Sequence, residues 1–200
     1  MDVPLRLYPR KFHLDRSTVL RHIKRYLSCV GILPDVPQQQ QATWLDFGCG
    51  SGYGTCLLSN FAQTVHGYDS DSKAIDYAQA NANLPGVRYL RKLCSGGCKY
   101  DTIFMIEVAE HMQTPELRNL LMDLANYYLA PHGYIVVTTP IVDETGPSKT
   151  NPHHVCEYSL DYFTNIIKDL GFTICGHTET VPCTANPTMQ QGFFALRREL

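Results

Sequence analysis

The chain has 200 residues, of which 44% are hydrophobic and 18% are charged, and its formal net charge is −2. This length suits one domain with a full core, and the composition excludes a disordered chain. No apolar run approaches the ~18 residues of a membrane span, and the N-terminus has no apolar signal segment, so we expect a soluble cytoplasmic protein without membrane contacts. The eight cysteines are scattered, which favours free thiols over a disulfide framework.

The N-terminal end is strongly basic. The first 25 residues hold seven of the 17 basic side chains and only two of the 19 acidic ones. Residues 13–30 have helical periodicity, with Leu20, Ile23 and Leu27 on the apolar stripe, so the basic residues should face solvent. This pattern predicts an amphipathic helix packed on the sheet edge. The alternative is a basic lid that attracts an anionic substrate, such as a phosphorylated sugar or an RNA end.

A glycine-rich turn follows the first predicted strand. Residues 45–54 read Leu-Asp-Phe-Gly-Cys-Gly-Ser-Gly-Tyr-Gly, and residues 55–61 can start a helix. Glycine permits backbone angles that are closed to other residues, and a helix N-terminus exposes N–H groups against which a ligand can lie. Dinucleotides and S-adenosylmethionine are two ligand classes that use such a turn. The second strand, residues 64–69, ends at Asp69, where a carboxylate can accept both ribose hydroxyls.

Single strands and helices alternate along the rest of the chain. The predicted helices are 73–82, 117–129, which Thr114 should cap, and 160–170; the predicted strands are 87–90, 101–106, 134–140, 172–175 and 192–196. This alternation predicts an α/β fold with a doubly wound, mostly parallel sheet that a final antiparallel pair closes. The polar loop 141–152 leaves the ligand-binding edge of that sheet and should carry substrate contacts. A second loop is expected at 180–191.

Five sequence runs resemble successive motifs of the class I S-adenosylmethionine-dependent methyltransferases, in the branch that includes ubiquinone-pathway O-methyltransferases. They are 45–52, 106–111, 129–133, 138–140 and 151–159. The resemblance implies a seven-stranded Rossmann-like sheet in a single domain. Residues 1–41 would form a basic segment, a helix and a linker, and residues 42–200 the S-adenosylmethionine-binding methyltransferase domain.

The resemblance also implies a set of cofactor contacts. Gly48, Gly50 and Gly52 would approach the methionine part, and Asp69 would hold the ribose. Asp46 would lie near the amino-acid end and attract its ammonium group, and Glu107 would contact the cofactor region. The family often has an acidic residue after the third strand that contacts the adenine. Residues 93–99 contain none, so the adenine contact is left unassigned.

The candidate catalytic residues follow the fourth strand. Methyl transfer from a sulfonium requires an aligned acceptor and a water-excluding site, and a hydroxyl acceptor must also lose its proton. We assign His111 as the general base, because an imidazole titrates near neutral pH. We assign Glu110 as the group that orients this imidazole.

The same residues offer a metal site as an alternative. Glu107, Glu110 and His111 fall at i, i+3 and i+4, so one helical turn would place them on one face, and His154 returns from the loop after the fifth strand. Two carboxylates and two imidazoles suit a divalent ion of the magnesium, manganese or cobalt type. Small-RNA 3′-terminal 2′-O-methyltransferases have a similar Glu-x-x-Glu-His with a distant His that bind a metal. Because these letters are also common in the broader branch without a metal, we prefer the metal-free interpretation.

Three functions remain open at this point. The preferred one is S-adenosylmethionine-dependent O-methylation of a small metabolite or sugar hydroxyl, with an acceptor that the basic N-terminus suggests is anionic. Metal-dependent 2′-O-methylation of an RNA 3′ end is the enzymatic alternative, although the rest of the chain is acidic and has no RNA-binding module. A cofactor-binding partner subunit without catalysis is the third; the missing acid after strand three favours it, and the intact glycines and Asp69 argue against it.

Overall fold

A computed structural model describes residues 16–34, 41–94, 96–180 and 190–198. The predicted helix start at residues 13–15, the linker at 35–40 and most of the predicted loop 180–191 lie outside the described residues. The strands are β1 (Thr43–Phe47), β2 (Thr64–Tyr68), β3 (Val87–Leu90), β4 (Tyr100–Ile106), β5 (Leu129–Ile141), β6 (Phe172–Thr180) and β7 (Gln190–Arg198). The helices are α1 (Arg16–Gly31), α2 (Tyr53–Leu58), α3 (Ser72–Asn81), α4 (Thr114–Asp123) and α5 (Leu160–Asp169).

The seven strands form one sheet in the order β3-β2-β1-β4-β5-β7-β6. Strands β1 to β5 pair in parallel, and β7 runs antiparallel to both β5 and β6. The predicted doubly wound, mostly parallel sheet is confirmed. The strand order reverses between β1 and β4, and in such sheets ligands bind at the carboxyl ends of the strands beside this reversal.

Hydrophobic clusters cover both faces of the sheet. On one face, side chains such as Ile103 and Met105 pack against Leu117 of α4 and Phe163 of α5. On the other face, Phe104 packs in a cluster with residues of α1 and α2. Strand β4 is therefore buried from both sides, which explains why its sequence is a near-continuous apolar run rather than an alternating one. Its carboxyl end is held rigidly at the ligand-binding edge.

Helix α1 packs with a different face from the predicted one. Leu20 and Leu27, which we expected in the core, are 47% and 45% exposed, whereas Tyr26 is buried. The Tyr26 hydroxyl donates to Asp46 over 3.3 Å. Its ring occupies the space beside Gly54, where an added Cβ would lie 1.9 Å from the ring. The tyrosine is the anchor of α1, because burying its ring and pairing its hydroxyl outweigh the exposure of two leucines.

Two boundaries around α4 also differ from the prediction. Gln113, and not Thr114, is the N-cap residue, and its backbone N–H donates to the Glu116 carboxylate over 2.9 Å. Strand β5 begins at Leu129 instead of Tyr134, because residue 129 already pairs with the first residue of β4. A single π-helical turn joins α4 to β5. The other strands and helices begin and end within a few residues of their predicted positions, apart from β6, which runs longer.

The expectation of free thiols is confirmed for the part of the chain that the structure describes. Seven of the cysteines lie in it, and all of them are free. The eighth, Cys183, is outside the described residues. No helix in the described ranges has the length and apolar character needed to cross a membrane.

Candidate active site

A cavity of about 950 Å³ opens at the carboxyl edge of the sheet. The loops after β1, β2 and β4 supply most of its walls, and residues 151–154, in the segment that follows β5, and part of α1 complete them. This position is the reversal of strand order between β1 and β4. Three of the five sequence runs, 45–52, 106–111 and 151–159, therefore contribute residues to one cavity.

Two of the three glycines predicted to contact the cofactor lie on the cavity wall. Gly48 has a φ of 81°, and a Cβ added there would lie 2.5 Å from the Val108 side chain. Gly50 has a φ of 53°, and an added Cβ would meet no atom within 4 Å. Gly52 does not line the cavity; its Cβ would lie 2.4 Å from the Tyr89 hydroxyl. Gly50 thus leaves room for a ligand against the backbone, Gly48 is needed for the close approach of Val108, and Gly52 serves helix packing.

Asp69 lies at the cavity wall beside the glycine loop. One carboxylate oxygen accepts from the Gly50 backbone N–H, and the other accepts from the Asp71 backbone N–H, both over 2.9 Å. Asp71 in turn caps α3, because its side chain accepts from the Lys73 backbone N–H. The Asp69 carboxylate is therefore fixed by the backbone on both sides, at the place predicted for the ribose contact.

Asp46 does not reach the cavity. It is 1% exposed and lies beneath the glycine loop, where it accepts from the Thr55 hydroxyl over 2.7 Å and from Tyr26. Burial raises the pKa of Asp46 to about 7, and the two hydroxyl donors oppose this rise. The position does not support the predicted contact with the ammonium group of the cofactor. Asp46 instead joins α1 and α2 to β1.

Glu107 is turned away from the other candidate ligands. Its φ of 58° takes the chain out of the helical conformation, so the predicted helical turn that aligned Glu107 with Glu110 and His111 is wrong. The Glu107 carboxylate accepts from the Thr138 hydroxyl over 3.0 Å and forms an ion pair with Arg25 over 3.1 Å. Thr138 also accepts from the Glu107 backbone N–H. This reciprocal pair holds a backbone conformation that is unusual for a residue with a side chain.

The structure brings Glu110, His111 and His154 together. Potential ligand atoms of the three side chains lie within 4.8 Å of one another. The His111 Nδ1 lies 2.8 Å from the His153 carbonyl oxygen, and the His154 Nδ1 lies 2.7 Å from a Glu157 carboxylate oxygen. A carbonyl and a carboxylate accept hydrogen bonds, so both Nδ1 atoms donate, and in the neutral form of each imidazole Nε2 keeps a lone pair. Each imidazole can therefore take up a proton or ligate a metal through Nε2.

The Glu110 side chain is fully buried, and neither carboxylate oxygen has a hydrogen-bond partner among the described residues. Burial raises the pKa of Glu110 well above its ordinary value, and the nearby charge of Glu107 adds to the rise. The predicted role of Glu110 in orienting His111 has no hydrogen bond to support it. The carbonyl of His153 holds the imidazole instead.

The Glu110 backbone anchors the long segment after β5. Its carbonyl oxygen accepts from the backbone N–H groups of Val155 and Cys156, over 2.7 and 3.1 Å. The same segment closes on itself earlier, because Gly146 and Glu157 exchange two backbone hydrogen bonds. Residues 147–154 are thus an excursion with both ends fixed, and this excursion carries His154 to the cavity.

Helix α1 adds two cavity residues that the sequence did not indicate, His22 and Arg25. Burial, together with the smaller effect of the positive charges of Arg25 and Arg21, lowers the pKa of His22 to about 4, so this imidazole is neutral near pH 7. The basic residues of α1 were expected to face solvent. No local signal marks the two exceptions, because their position depends on the rotation of the helix that Tyr26 sets.

Sequence relatives of the chain are methyltransferases. Residues 15–176 match the methyltransferase domain family. A probable S-adenosylmethionine-dependent methyltransferase of Mycolicibacterium smegmatis is 27% identical over 141 residues, which are 65% of this chain and 51% of that protein. The mitochondrial ubiquinone biosynthesis O-methyltransferase of Arabidopsis thaliana is 29% identical over 115 residues, which are 54% and 34% of the two chains. The chain thus spans about half the length, or less, of these curated relatives.

Solved structures with the same fold include methyltransferases of different substrate types. The N-methyltransferase NodS of Bradyrhizobium japonicum, in complex with S-adenosyl-L-homocysteine, has a TM-score of 0.68 at 16% identity, covering 94% of this chain and 92% of that chain. A Leishmania major SAM-dependent methyltransferase has a TM-score of 0.71 at 16% identity, covering 88% and 71%. These likenesses establish the fold and leave the acceptor open.

The geometry of the cavity, taken without the sequence relatives, also fits S-adenosylmethionine. Gly50 leaves open space where a side chain would stand, and Asp69 holds its carboxylate at the same wall. Gly50 follows β1 beside the strand-order reversal at which this fold binds ligands, and Asp69 follows β2, the neighbour of β1. With the family match over residues 15–176, the conclusion is that the chain belongs to the class I S-adenosylmethionine-dependent methyltransferases.

Proposed function

We propose that this protein transfers a methyl group to a hydroxyl of a small metabolite or sugar. S-adenosylmethionine, when bound, supplies a methyl group on a positively charged sulfur that is already an activated leaving group. The bare backbone at Gly50 would hold the ligand closely, and the Asp69 carboxylate would accept from its ribose hydroxyls. These residues bind and orient, which is the main contribution that a protein makes to such an in-line displacement.

The observation that carries the proposal is the 2.8 Å contact between His111 Nδ1 and the His153 carbonyl oxygen. The His153 carbonyl can only accept, so the proton of the neutral imidazole is on Nδ1 and Nε2 has its lone pair. The His111 side chain lines the cavity, where an acceptor hydroxyl can reach it. An imidazole in this state can remove the hydroxyl proton as the methyl group is transferred.

Apolar side chains make up much of the remaining wall. Phe47, Val108, Met112 and Leu120 line the cavity between the glycine loop and the histidines. An apolar wall excludes water from the methyl group and strengthens the polar interactions of the few groups that remain. This combination suits an acceptor that places one hydroxyl against His111 and a carbon skeleton against the apolar wall.

The test is a His111→Asn variant, because the asparagine amide can still donate to the His153 carbonyl but cannot act as a base. Methylation of a panel of sugars, nucleotide sugars and phenols is measured by mass spectrometry with S-adenosylmethionine. Transfer to the accepted substrate should fall at least about 100-fold, while calorimetric binding of S-adenosylhomocysteine stays unchanged. His132→Asn is the matched control: it is exposed, has a φ of 63° that asparagine tolerates, and lies outside the cavity lining.

A variant that keeps the parental rate would overturn the assignment of His111. Unmodified protein that does not bind S-adenosylhomocysteine would overturn the methyltransferase proposal itself. Binding of S-adenosylhomocysteine without turnover of any acceptor would favour a partner subunit that lacks catalysis.

One observation favours a second candidate, metal-dependent 2′-O-methylation of an RNA 3′ end. Glu110, His111 and His154 bring a buried carboxylate and two Nε2 atoms close together, a donor set that suits a divalent transition metal. Glu107, the fourth ligand expected from the sequence, is held by Thr138 and Arg25 instead. Assays of a short synthetic RNA with Mn²⁺ or Co²⁺ and with EDTA separate the candidates. Methylation that requires the metal and a 3′-terminal 2′-hydroxyl would replace the preferred function with this one.

A further inference from the structure

An ion pair on the cavity wall has no role in the proposed chemistry. Arg25 of α1 and Glu107 after β4 approach to 3.1 Å, and their side chains are 24% and 22% exposed. Both side chains line the cavity. The partly buried setting strengthens the charge interaction relative to a surface pair, and the remaining exposure leaves both groups accessible to a ligand.

The surrounding contacts fix both members of the pair. Glu107 is held by its two hydrogen bonds with Thr138 on β5. Arg25 directly precedes Tyr26, whose buried ring and hydroxyl anchor α1 against Gly54 and Asp46. The two charges are thus positioned before any ligand binds, which limits the entropy lost on binding.

The strand order places the Arg25–Glu107 pair two strands away from Asp69 along the edge of the sheet. Asp69 follows β2, Gly48 follows β1 and Glu107 follows β4, and these three strands are neighbours in the sheet. Adjacent strands are about 4.8 Å apart, so the ends of β2 and β4 are separated by roughly 10 Å. The contact of Gly48 with Val108 joins the middle and last of these three loops. A ligand with its ribose at Asp69 that extends over Gly48 therefore arrives at Arg25 and Glu107.

The charges at this end of the cavity match those of an amino acid. Among the described residues, Arg25 is the only lysine or arginine that lines the cavity. The neighbouring His22 is neutral near pH 7, because burial lowers its pKa to about 4. One positive and one negative group side by side complement a carboxylate and an ammonium group that share one carbon atom.

We propose that Arg25 and Glu107 bind the amino-acid end of the cofactor. Arg25 takes the carboxylate, since its guanidinium has five N–H donors and its 3.1 Å contact with Glu107 is made through Nη1. Glu107 takes the ammonium group, the role that the sequence had given to Asp46. This inference rests on the proposed function and adds to it the group that distinguishes S-adenosylmethionine from other adenosine compounds.

The test compares three ligands by calorimetry. S-adenosylhomocysteine has both charged groups, its decarboxylated analogue has only the ammonium group, and 5′-methylthioadenosine has neither. The variants are Arg25→Met and Glu107→Gln, and Lys24→Met is the matched control because Lys24 is an exposed neighbour on the same helix. Thermal melting of each variant reports whether it folds.

Arg25→Met should weaken S-adenosylhomocysteine binding roughly tenfold, and binding of the other two ligands should stay within about twofold of the parent. Glu107→Gln should weaken the binding of both ligands that carry the ammonium group and leave the binding of 5′-methylthioadenosine unchanged. Lys24→Met should change none of them. Arg25→Lys should recover part of the affinity, because it restores the charge without the planar fork.

The inference would be overturned if Arg25→Met weakened the binding of all three ligands equally, or if it left S-adenosylhomocysteine binding unchanged. The proposed function would stand in either case. Failure of the unmodified protein to bind any of the three ligands would overturn the proposed function as well. If Arg25→Met does not fold, Glu107→Gln together with the decarboxylated ligand decides the question.

Discussion

The two walls of the cavity are built in opposite ways. The wall formed by Gly48, Gly50 and Asp69 uses backbone groups and short-range contacts, and the Asp69 carboxylate accepts from backbone N–H groups through both oxygens. The wall formed by Glu110, His111 and His154 joins two segments that are distant in sequence, and it buries a carboxylate whose oxygens have no partner among the described residues. We call the first wall the complete wall, because it needs no ligand to be complete, and the second the incomplete wall. The second keeps polar capacity unused, which costs stability and suits a role in recognising the acceptor.

The largest effect is expected on the complete wall, at Gly48. Gly48→Ala combines a left-handed φ of 81° with a Cβ only 2.5 Å from Val108, so we expect it to lower the free energy of unfolding by about 3 kcal/mol. In Gly50→Ala the added Cβ meets no atom within 4 Å, so the free energy of unfolding should fall by only about 1 kcal/mol, through backbone strain alone. Urea denaturation measures both. Equal losses at the two positions would show that contact with Val108 does not decide the outcome.

The incomplete wall should respond in the opposite direction. Replacing Glu110 by methionine removes a buried carboxylate without partners, so the free energy of unfolding at pH 7 should rise by about 1–2 kcal/mol. Glu157→Met is the matched control, because the Glu157 carboxylate accepts from His154; its loss should lower stability by about 1–3 kcal/mol. Urea denaturation at fixed pH reports the sign. A destabilised Glu110→Met variant would contradict the contrast between the two walls.

The smallest expected effect is on the pH dependence of stability. It arises from Asp46, which lies beneath the glycine loop of the complete wall. The pKa of Asp46 is raised to about 7 in the folded protein from an ordinary 3.8, because the carboxyl is buried. The folded state thus holds this proton more tightly than the unfolded state. The stabilisation is complete below about pH 4 and is lost as the pH rises through about 7.

Asp46→Asn should therefore flatten the decline in stability between about pH 4 and pH 8, measured as the difference from the parent by urea denaturation. Thr55→Val removes the hydrogen bond that lowers the Asp46 pKa, so the decline should start at the same pH and extend to higher pH. An identical pH profile for parent and Asp46→Asn would show that Asp46 does not carry this effect.

The order of the strands and helices and the complete wall were predictable because their signals are local. The apolar run of β4, the glycines and Asp69 each constrain the backbone within a few residues. The rotation of α1 was not predictable in this way, since apolar residues occur on more than one side of the helix and a tyrosine, Tyr26, makes the decisive contacts. The position of Arg25 on the cavity wall follows from that rotation.

The incomplete wall was predicted in its members and not in its geometry. A positive φ at Glu107 has no signal in the sequence, because the residue is not a glycine and depends on Thr138 in another strand. This single backbone conformation separates Glu107 from Glu110 and His111, which the spacing alone would have placed on one face. The role of Glu110 toward His111 likewise depended on a distant carbonyl, that of His153.

The anchored excursion at residues 147–154 has a consequence for how such a protein can diversify. The backbone bonds between Gly146 and Glu157, and those from Val155 and Cys156 to the Glu110 carbonyl, close the base of this segment without using side chains. Mutations at its tip can therefore accumulate while the base and the glycine loop stay intact. Replacement of this one short peptide, during evolution or by loop grafting in the laboratory, can alter part of the acceptor side while the glycine loop and Asp69 stay in place.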